Sequence, residues 1–477
     1  MQSYRQTGHN HKNWVRHIAW DGEICSIDDE AYEQSPEVKR LNAFVEQSFN
    51  IPGWLKDKES PQYSPYLNRM KSFRKVIDAL PAMIGSEYKT SLDDDLSSEI
   101  EECLPFILHI RRHATDLQLS LLKAMESDRR HPLDTLGTLV WEYQSNQDMI
   151  YRTHKQLQIP LPATYCPRPD GCAFIQIIEG PSASVKGDLG PALSCFPRVG
   201  AANVDCDHIL HWVTEFKRDL SEVASKRRVV EGLVSALYQR RALGFPNHFV
   251  FGTADHSQTS LEVLAATWVP SDEPVERATQ EANVENVVPP AGQVNGPSGS
   301  SLQVGDTTGD IPPTVEKAGD KTADPTTEDT KKYNKIVIYK IGVYEMSCIE
   351  SLLPLYLLMR TTRILAQQYK DEIKKFSLAR ILELSKEAGD IYKWPPPPLV
   401  ASAKRKRLND WCGESGSMAE ESEDGMSDDQ EDGSDSSSDS EKLDSLRSDA
   451  PTYVITGEVA TYTLKNYAYE TNAGACA

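Results

Sequence analysis

The run Ile209-Leu210-His211-Trp212-Val213-Thr214-Glu215-Phe216-Lys217 carries a carboxylate and an amine at the end of an otherwise apolar stretch. In an extended strand the side chains alternate between faces, so Val213, Glu215 and Lys217 share one side and Trp212, Thr214 and Phe216 the other. A strand apolar on both faces belongs inside a sheet, where a charged group is costly unless a partner or a metal compensates it. The fold must therefore bring something to Glu215 and Lys217. One source is Asp170, in the Pro169-Asp170-Gly171 turn. Placed at the end of a neighbouring strand, it would complete a divalent-metal site with Glu215, with Lys217 alongside. Asp207, nearer in sequence, is a substitute for Asp170. The alternative is a solvent-facing Glu215–Lys217 ion pair on an edge strand, which contributes little.

The surrounding segments alternate between strand and helix signals. Cys172 to Ile178 is a compact apolar run between Gly171 and Gly180, as a buried strand requires. Leu220 to Leu243 reads as an amphipathic helix stopped by Gly244, and carries Lys226, Arg227, Arg228, Arg240 and Arg241. His248 to Gly252 and Ser260 to Val269 read as two strands joined through a turn at Asp255 to Gln258. After a long Pro-, Gly- and acid-rich stretch, Lys335 to Tyr344 alternates like a strand. Ser347 and Glu350 then have the spacing of a capping box for a helix reaching about Lys386, with Pro354 implying a kink or a later start.

Upstream, helices are expected over Ser97 to Ser127, with Pro105 interrupting or starting one, and over Asp134 to Leu157, ended by Pro160 and Pro162. Residues 1–95, with helical spacing at Pro36 to Ser48 and Arg69 to Leu80, read as a helical amino-terminal lobe. The expected class is α/β, a mixed central sheet flanked by helices. The core spans 96–269 and resumes at 333–393, an acidic insertion without apolar periodicity occupies 270–332, and a disordered tail fills 394–477.

Charge explains the acidic pI without excluding nucleic acid. Of the formal net charge of −20, roughly −9 lies in Ser271 to Thr330 and roughly −12 in Glu414 to Ala450. The remainder is near neutral, and the field at a cleft depends on local charge. Nine cysteines without regular spacing suggest a reducing compartment. The polar start Met1 to Gln6 lacks the apolar stretch of a secretory signal, and runs such as Leu352 to Met359 are too short to span a bilayer, so no membrane partner is expected. Lys404-Arg405-Lys406-Arg407, after the break of Pro395 to Pro398, reads as a nuclear-localisation signal. The Ser/Asp/Glu tail suits basic nuclear proteins such as histones, or solvates the chain. Tyr453 to Tyr469 alternates like a weak strand or hairpin.

Other donor sets are sparser. Cys206-x-His208-x-x-His211, with Cys195 or Cys172, offers zinc ligands but lacks a second paired motif. His109 and His113 stand at i and i+4 without the carboxylate of a metalloprotease helix. Arg227, Arg228, Arg240 and Arg241 are either phosphate contacts or a solvated helix face.

Pro169-Asp170 followed by Glu215-x-Lys217 resembles the signature of the PD-(D/E)XK, or restriction-endonuclease-like, nuclease superfamily. The wider pattern is similar to nuclease-like regions of uncharacterised fungal proteins: Pro167-Arg168-Pro169-Asp170-Gly171, then Trp212 to Lys217, a helix, and Phe249-Val250-Phe251-Gly252. The resemblance covers Ser97 to Val269 plus the strand and helix that follow the insertion. It implies a restriction-endonuclease-like fold in which Asp170, Glu215 and the Phe216 carbonyl hold Mg²⁺ and Lys217 orients or activates the attacking water. The helix after the strand departs from members that carry a Gln four residues before a Tyr, since Val234 stands there relative to Tyr238. Two functions are thus expected. One is a nuclear Mg²⁺-dependent nuclease or a nucleic-acid-binding derivative of one. The other is a non-enzymatic nuclear scaffold acting through its acidic segments.

Overall fold

The structure, a computed structural model, describes residues 11, 14–15, 17–69, 74–119, 125–160, 166–177, 189–198, 204–216, 222–257, 259–272 and 327–396. All fall in one compact unit, Met1–Lys406. Its centre is a seven-stranded mixed sheet built from β1 (Trp20–Ser26), β4 (Met149–Thr153), β5 (Gly171–Gln176), β6 (His208–Glu215), β7 (Val250–Ser257), β8 (Ser260–Pro270) and β9 (Tyr333–Glu345), in the order β1-β9-β8-β7-β6-β5-β4. A small parallel pair, β2 (Asn50–Pro52) and β3 (Lys89–Ser91), stands apart from it. The longer helices are α1 (Pro36–Gln47), α2 (Arg74–Met83), α3 (Asp94–Leu119), α4 (Glu126–Thr138), α5 (Glu222–Ala242) and α6 (Ile349–Glu387). Among the described residues no helix is long and apolar enough to cross a membrane.

Strand direction follows connection length. β4, β5 and β6 form an antiparallel run. β6 and β7 are parallel, which needs a crossover, and α5 supplies it. β7 and β8 return to antiparallel pairing across a tight turn, and β8 pairs with β9 on either side of the acidic stretch. β1 closes the sheet by pairing in parallel with β9.

Both faces of the sheet are covered, which is why its interior strands are apolar throughout. On one face Cys172, Leu210, Val213, Val250, Ala254, Leu264 and Trp268 pack against Val229, Leu233, Val234 and Leu237 of α5. On the other, Ala173, Ile209, Trp212, Phe251 and Val263 pack against Leu352, Leu355, Leu358 and Met359 of α6 together with α3. Two glycines set how closely α5 lies on the sheet. A Cβ on Gly252 would sit 2.6 Å from Val229 Cγ1 and 2.9 Å from the Val213 carbonyl oxygen, and one on Gly232 would sit 2.8 Å from Val213 Cγ1. Bare backbone at both positions lets the first turns of α5 reach the end of β6.

Several segments differ from the sequence reading. Asp134 to Leu157 is not one helix. α4 ends at Thr138, a π turn covers Leu139–Tyr143, and the chain reverses to form β4. Asn146 and Gln147, at φ 51° and 69°, make that reversal, which a helix cannot contain. Residues 1–95 are not wholly helical, since they also supply β1, β2 and β3. α6 has Cys348 at its N-cap with no side-chain cap, while Ser347 Oγ donates to Glu345 instead. Pro354 lies inside α6 and does not delay its start. The Glu350 carbonyl, which a residue at 354 would otherwise bond, accepts from Tyr88 Oη at 3.5 Å. The insertion between 272 and 327, Lys404 to Arg407, the acidic tail and Tyr453 to Tyr469 lie outside the described residues.

Candidate functional site

Asp170 and Glu215 lie at the same end of the sheet. Gly171, which opens β5, pairs with Thr214, which precedes the last residue of β6, so the turn before β5 lies beside the end of β6. Asp170 Oδ2 accepts the Phe216 N–H at 2.7 Å. The two acids are 1 % and 0 % exposed. Cys172 between them reports the same proximity: burial raises its thiol pKa, and the charges of Glu215 and then Asp170 raise it further. β6 is an interior strand, so the edge-strand ion pair is excluded for Glu215. Asp207, eight residues from Glu215 on an extended segment, is about 26 Å away along the strand and cannot replace Asp170. Lys217 lies outside the described residues.

Each acid has an arginine. Arg228, in the second turn of α5, places Nη1 3.2 Å from Glu215 Oε1, and its side chain is 43 % exposed. Ser225, one turn earlier, donates to the Glu215 carbonyl at 3.0 Å and accepts from the Asp255 N–H at 2.9 Å. It thereby pins α5 to β6 and β7 where their ladder ends. On the other side Arg130 of α4 reaches Asp170 Oδ1 at only 3.6 Å, because its main bonds are to Asp134 at 2.7 Å and to His154 Nε2 at 2.9 Å. Tyr151 Oη donates to Asp134 at 2.9 Å and fixes that carboxylate in turn. The Tyr151 ring also dictates Gly171, since a Cβ there would lie 2.0 Å from Tyr151 Oη.

His154 completes the rim. It adopts φ 54°, a left-handed conformation uncommon outside glycine, and its N–H donates to the Asp170 carbonyl at 3.2 Å while Arg168 donates to its own carbonyl at 2.8 Å. Burial, reinforced by the Arg130 charge, lowers its pKa. The result is two buried carboxylates ringed by Arg130, His154, Arg168 and Arg228. Such a site can hold a hard cation on its oxygens and a phosphate on its rim.

Of the four arginines singled out on α5, Arg228 faces this site. Arg227 pairs with Glu231 at 3.1 Å, Arg241 lies over the Trp268 ring, and Arg240 is wholly buried, donating to the Leu210 carbonyl, which rules it out as a phosphate contact. Arg130, Tyr151 and His154 were not read from sequence as site residues. Tyr151 lies on β4 and His154 just after it, and helical spacing running through Leu139, Val140 and Tyr143 hid that strand.

The cysteine–histidine set does not converge. His208 pairs with Asp205 at 2.8 Å, and the buried His211 shares a hydrogen bond with the Thr362 carbonyl. Among the described residues one group brings three donor atoms within 4.8 Å of one another: Glu222, His256 and Glu262, at the same end of the sheet. Its carboxylates already hold Lys226, at 2.5 Å and 2.6 Å, and Glu262 also holds Lys340 at 3.2 Å. An ion there would have to displace a lysine. His109 and His113 stand with His131, their ring centroids 6.4 Å and 5.2 Å apart in sequence order, outside that group.

No family model, curated protein or solved structure matches the chain.

Proposed function

We propose that the chain is a restriction-endonuclease-like, Mg²⁺-dependent nuclease of the PD-(D/E)XK type, acting on nucleic acid in the nucleus. One observation carries the reading: two carboxylates separated by 45 residues lie buried at adjacent ends of antiparallel strands, with Asp170 accepting the N–H of Phe216, the residue after Glu215. Their topological frame agrees with it, being a three-strand antiparallel run followed by a crossover helix and a parallel strand. The donors fit the ion. Asp170, Glu215 and the Phe216 carbonyl are all oxygen ligands, which Mg²⁺ prefers. The arginines leave room for it, since Arg130 is held off Asp170 by Asp134 and His154, and Arg228 is exposed enough to swing outward.

A cation bound there would neutralise charge developing on the phosphodiester during hydrolysis. Arg228 and Arg130 would grip non-bridging phosphate oxygens, holding the phosphate over the carboxylates. Lys217, by the resemblance, would orient or activate the attacking water. Ser225 would keep the end of β6 fixed while Arg228 changes partners. The test is cleavage of single- and double-stranded DNA and RNA with and without Mg²⁺, using Asp170→Asn, Glu215→Gln and Lys217→Ala. Cleavage that depends on metal and vanishes in all three supports the assignment. Activity that survives them ends it.

A scaffold reading draws on a specific observation too: Arg228 already pairs with Glu215, as it would in a structural ion pair. Under that reading the three variants leave nucleic-acid binding and every other property unchanged except stability.

A further inference from the structure

An open cavity of about 520 Å³ lies against β4 and β5, on the face of the sheet that carries α5 but toward the β4 edge, and reaches Lys155, which follows His154. Its volume is in the range of small-ligand sites. The wall is built from the rings of Phe196 and His208, centroids 6.3 Å apart at 70°, over a wholly buried Phe174 that lies 5.3 Å from Phe196 and 6.1 Å from His208. Phe196 and His208 are half-buried, so each presents ring surface to the space. Gln147 and Gln176 bring amides able both to donate and to accept. Gln147 is held there at φ 69°, a strained position of the kind that gathers at binding sites.

The charge balance narrows the occupant. Arg152 is matched by Glu142 and His208 by Asp205, all four on the cavity wall. Lys155 is exposed and has no ion-pair partner among the described residues. One uncommitted cation, ring surfaces and two amides make the complement of a single nucleotide: a phosphate, a planar base and the polar edge of that base. A base stacked within a duplex would have to be extruded before it could enter, whereas an unpaired base is already free to do so.

We propose that this cavity receives an unpaired nucleotide of a nucleic-acid strand, its base against Phe196 and His208 and its phosphate on Lys155, so that the protein engages single strands in preference to duplex. The proposal rests on the nuclease reading for the fate of the strand and not for its binding.

The test uses the full chain in EDTA, with a short single-stranded DNA carrying 2-aminopurine and a hairpin in which the same base is paired. The single strand binds at least about tenfold tighter, and its fluorescence is quenched on binding. Phe196→Ala weakens binding roughly 5- to 160-fold, the range of one base–aromatic stack, and removes the quench. Lys155→Ala, an exposed change that leaves folding intact, lowers the slope of log K against log salt by about 0.7, one phosphate contact on a single strand. Equal or tighter binding of the hairpin overturns the proposal. So does an unchanged salt slope in Lys155→Ala, which decides the matter if Phe196→Ala misfolds. Single-strand binding with these dependences but no cleavage in Mg²⁺ defeats the nuclease reading alone. Metal-dependent cleavage indifferent to both variants defeats the pocket alone.

Discussion

Asp170 serves the fold as well as the chemistry assigned to it, and two substitutions separate the roles. Its Oδ2 accepts the Phe216 N–H at 2.7 Å, with both residues 1 % exposed. A hydrogen bond to a charged acceptor contributes about 1.5–3 kcal/mol, and a buried donor left with no acceptor costs about 1–3 kcal/mol. Both figures describe the same N–H, so Asp170→Ala is expected to lose about 3 kcal/mol rather than their sum. Asp170→Asn keeps an oxygen in place and a neutral bond, for a loss of about 1 kcal/mol. Arg130 keeps Asp134 and His154 in either variant and loses only its longer contact with Asp170. Urea unfolding followed by tryptophan fluorescence reports on the region, because Trp141 and Trp212 are buried in the adjoining core. Both variants should be equally inactive while differing by about 2 kcal/mol in stability. An alanine variant as stable as the asparagine one would show that the Phe216 N–H finds another acceptor and that the geometry at this strand end has been misread.

Glu215→Gln removes a wholly buried charge while leaving Arg228 free to turn to solvent, so stability should change by no more than about 1 kcal/mol. Any Mg²⁺-induced rise in melting temperature should disappear with it; a loss above about 3 kcal/mol would make Glu215 structural instead. Gly232→Ala puts a Cβ 2.8 Å from Val213 Cγ1 and should cost about 1–3 kcal/mol in urea unfolding. Adding Val213→Ala should remove the steric part of that loss, and a strictly additive double variant would refute the contact. His211, sealed among Trp141, Phe251 and Tyr369, has its pKa held well below 6.5 by burial and then by the Arg240 charge. A depressed folded-state pKa means stability that is complete above the unfolded value and falls as pH drops below about 6.5. One such group accounts for about 1.3 kcal/mol between pH 7.5 and 5.5, so the pH-dependent difference should shrink by that amount in His211→Gln. An undiminished difference would place the titration elsewhere.

The central strands could be read from sequence because Cys172 to Ile178, Lys335 to Tyr344 and the Glu215 run are short, apolar and bounded by turn residues. α5 was equally plain, its last residue Ala242 standing two before Gly244. β4 was hidden. Leu136, Leu139, Val140 and Tyr143 carry helical spacing into it, and the reversal rests on Asn146 and Gln147 taking a backbone conformation that propensity does not announce. β1 was hidden for another reason. Trp20-Asp21-Gly22-Glu23 has little strand character of its own, and what holds it is a partner at the far end of the core. In the site, the acids were legible as charges placed where charges are costly. Arg130 was not, because its role depends on α4 turning one residue toward Asp134, His154 and Asp170 together. Arg228 was visible as a cation, but only the close approach allowed by Gly232 and Gly252 shows which carboxylate it meets.

The pairing of β1 with β9 also sets a timetable. Trp20 aligns with Ile336, so the first strand must wait for 316 further residues before its neighbour exists. At a ribosomal pace of about 5–20 residues per second that is roughly a quarter of a minute to a minute. During that interval the nascent chain holds an unsatisfied ribbon, and β8 is a bare margin whose side chains are mostly apolar. Any message truncated before codon 333 would leave that margin permanently open, a template for β-pairing between molecules. Quality control of this protein thus depends less on its buried acids than on the late arrival of a single ribbon.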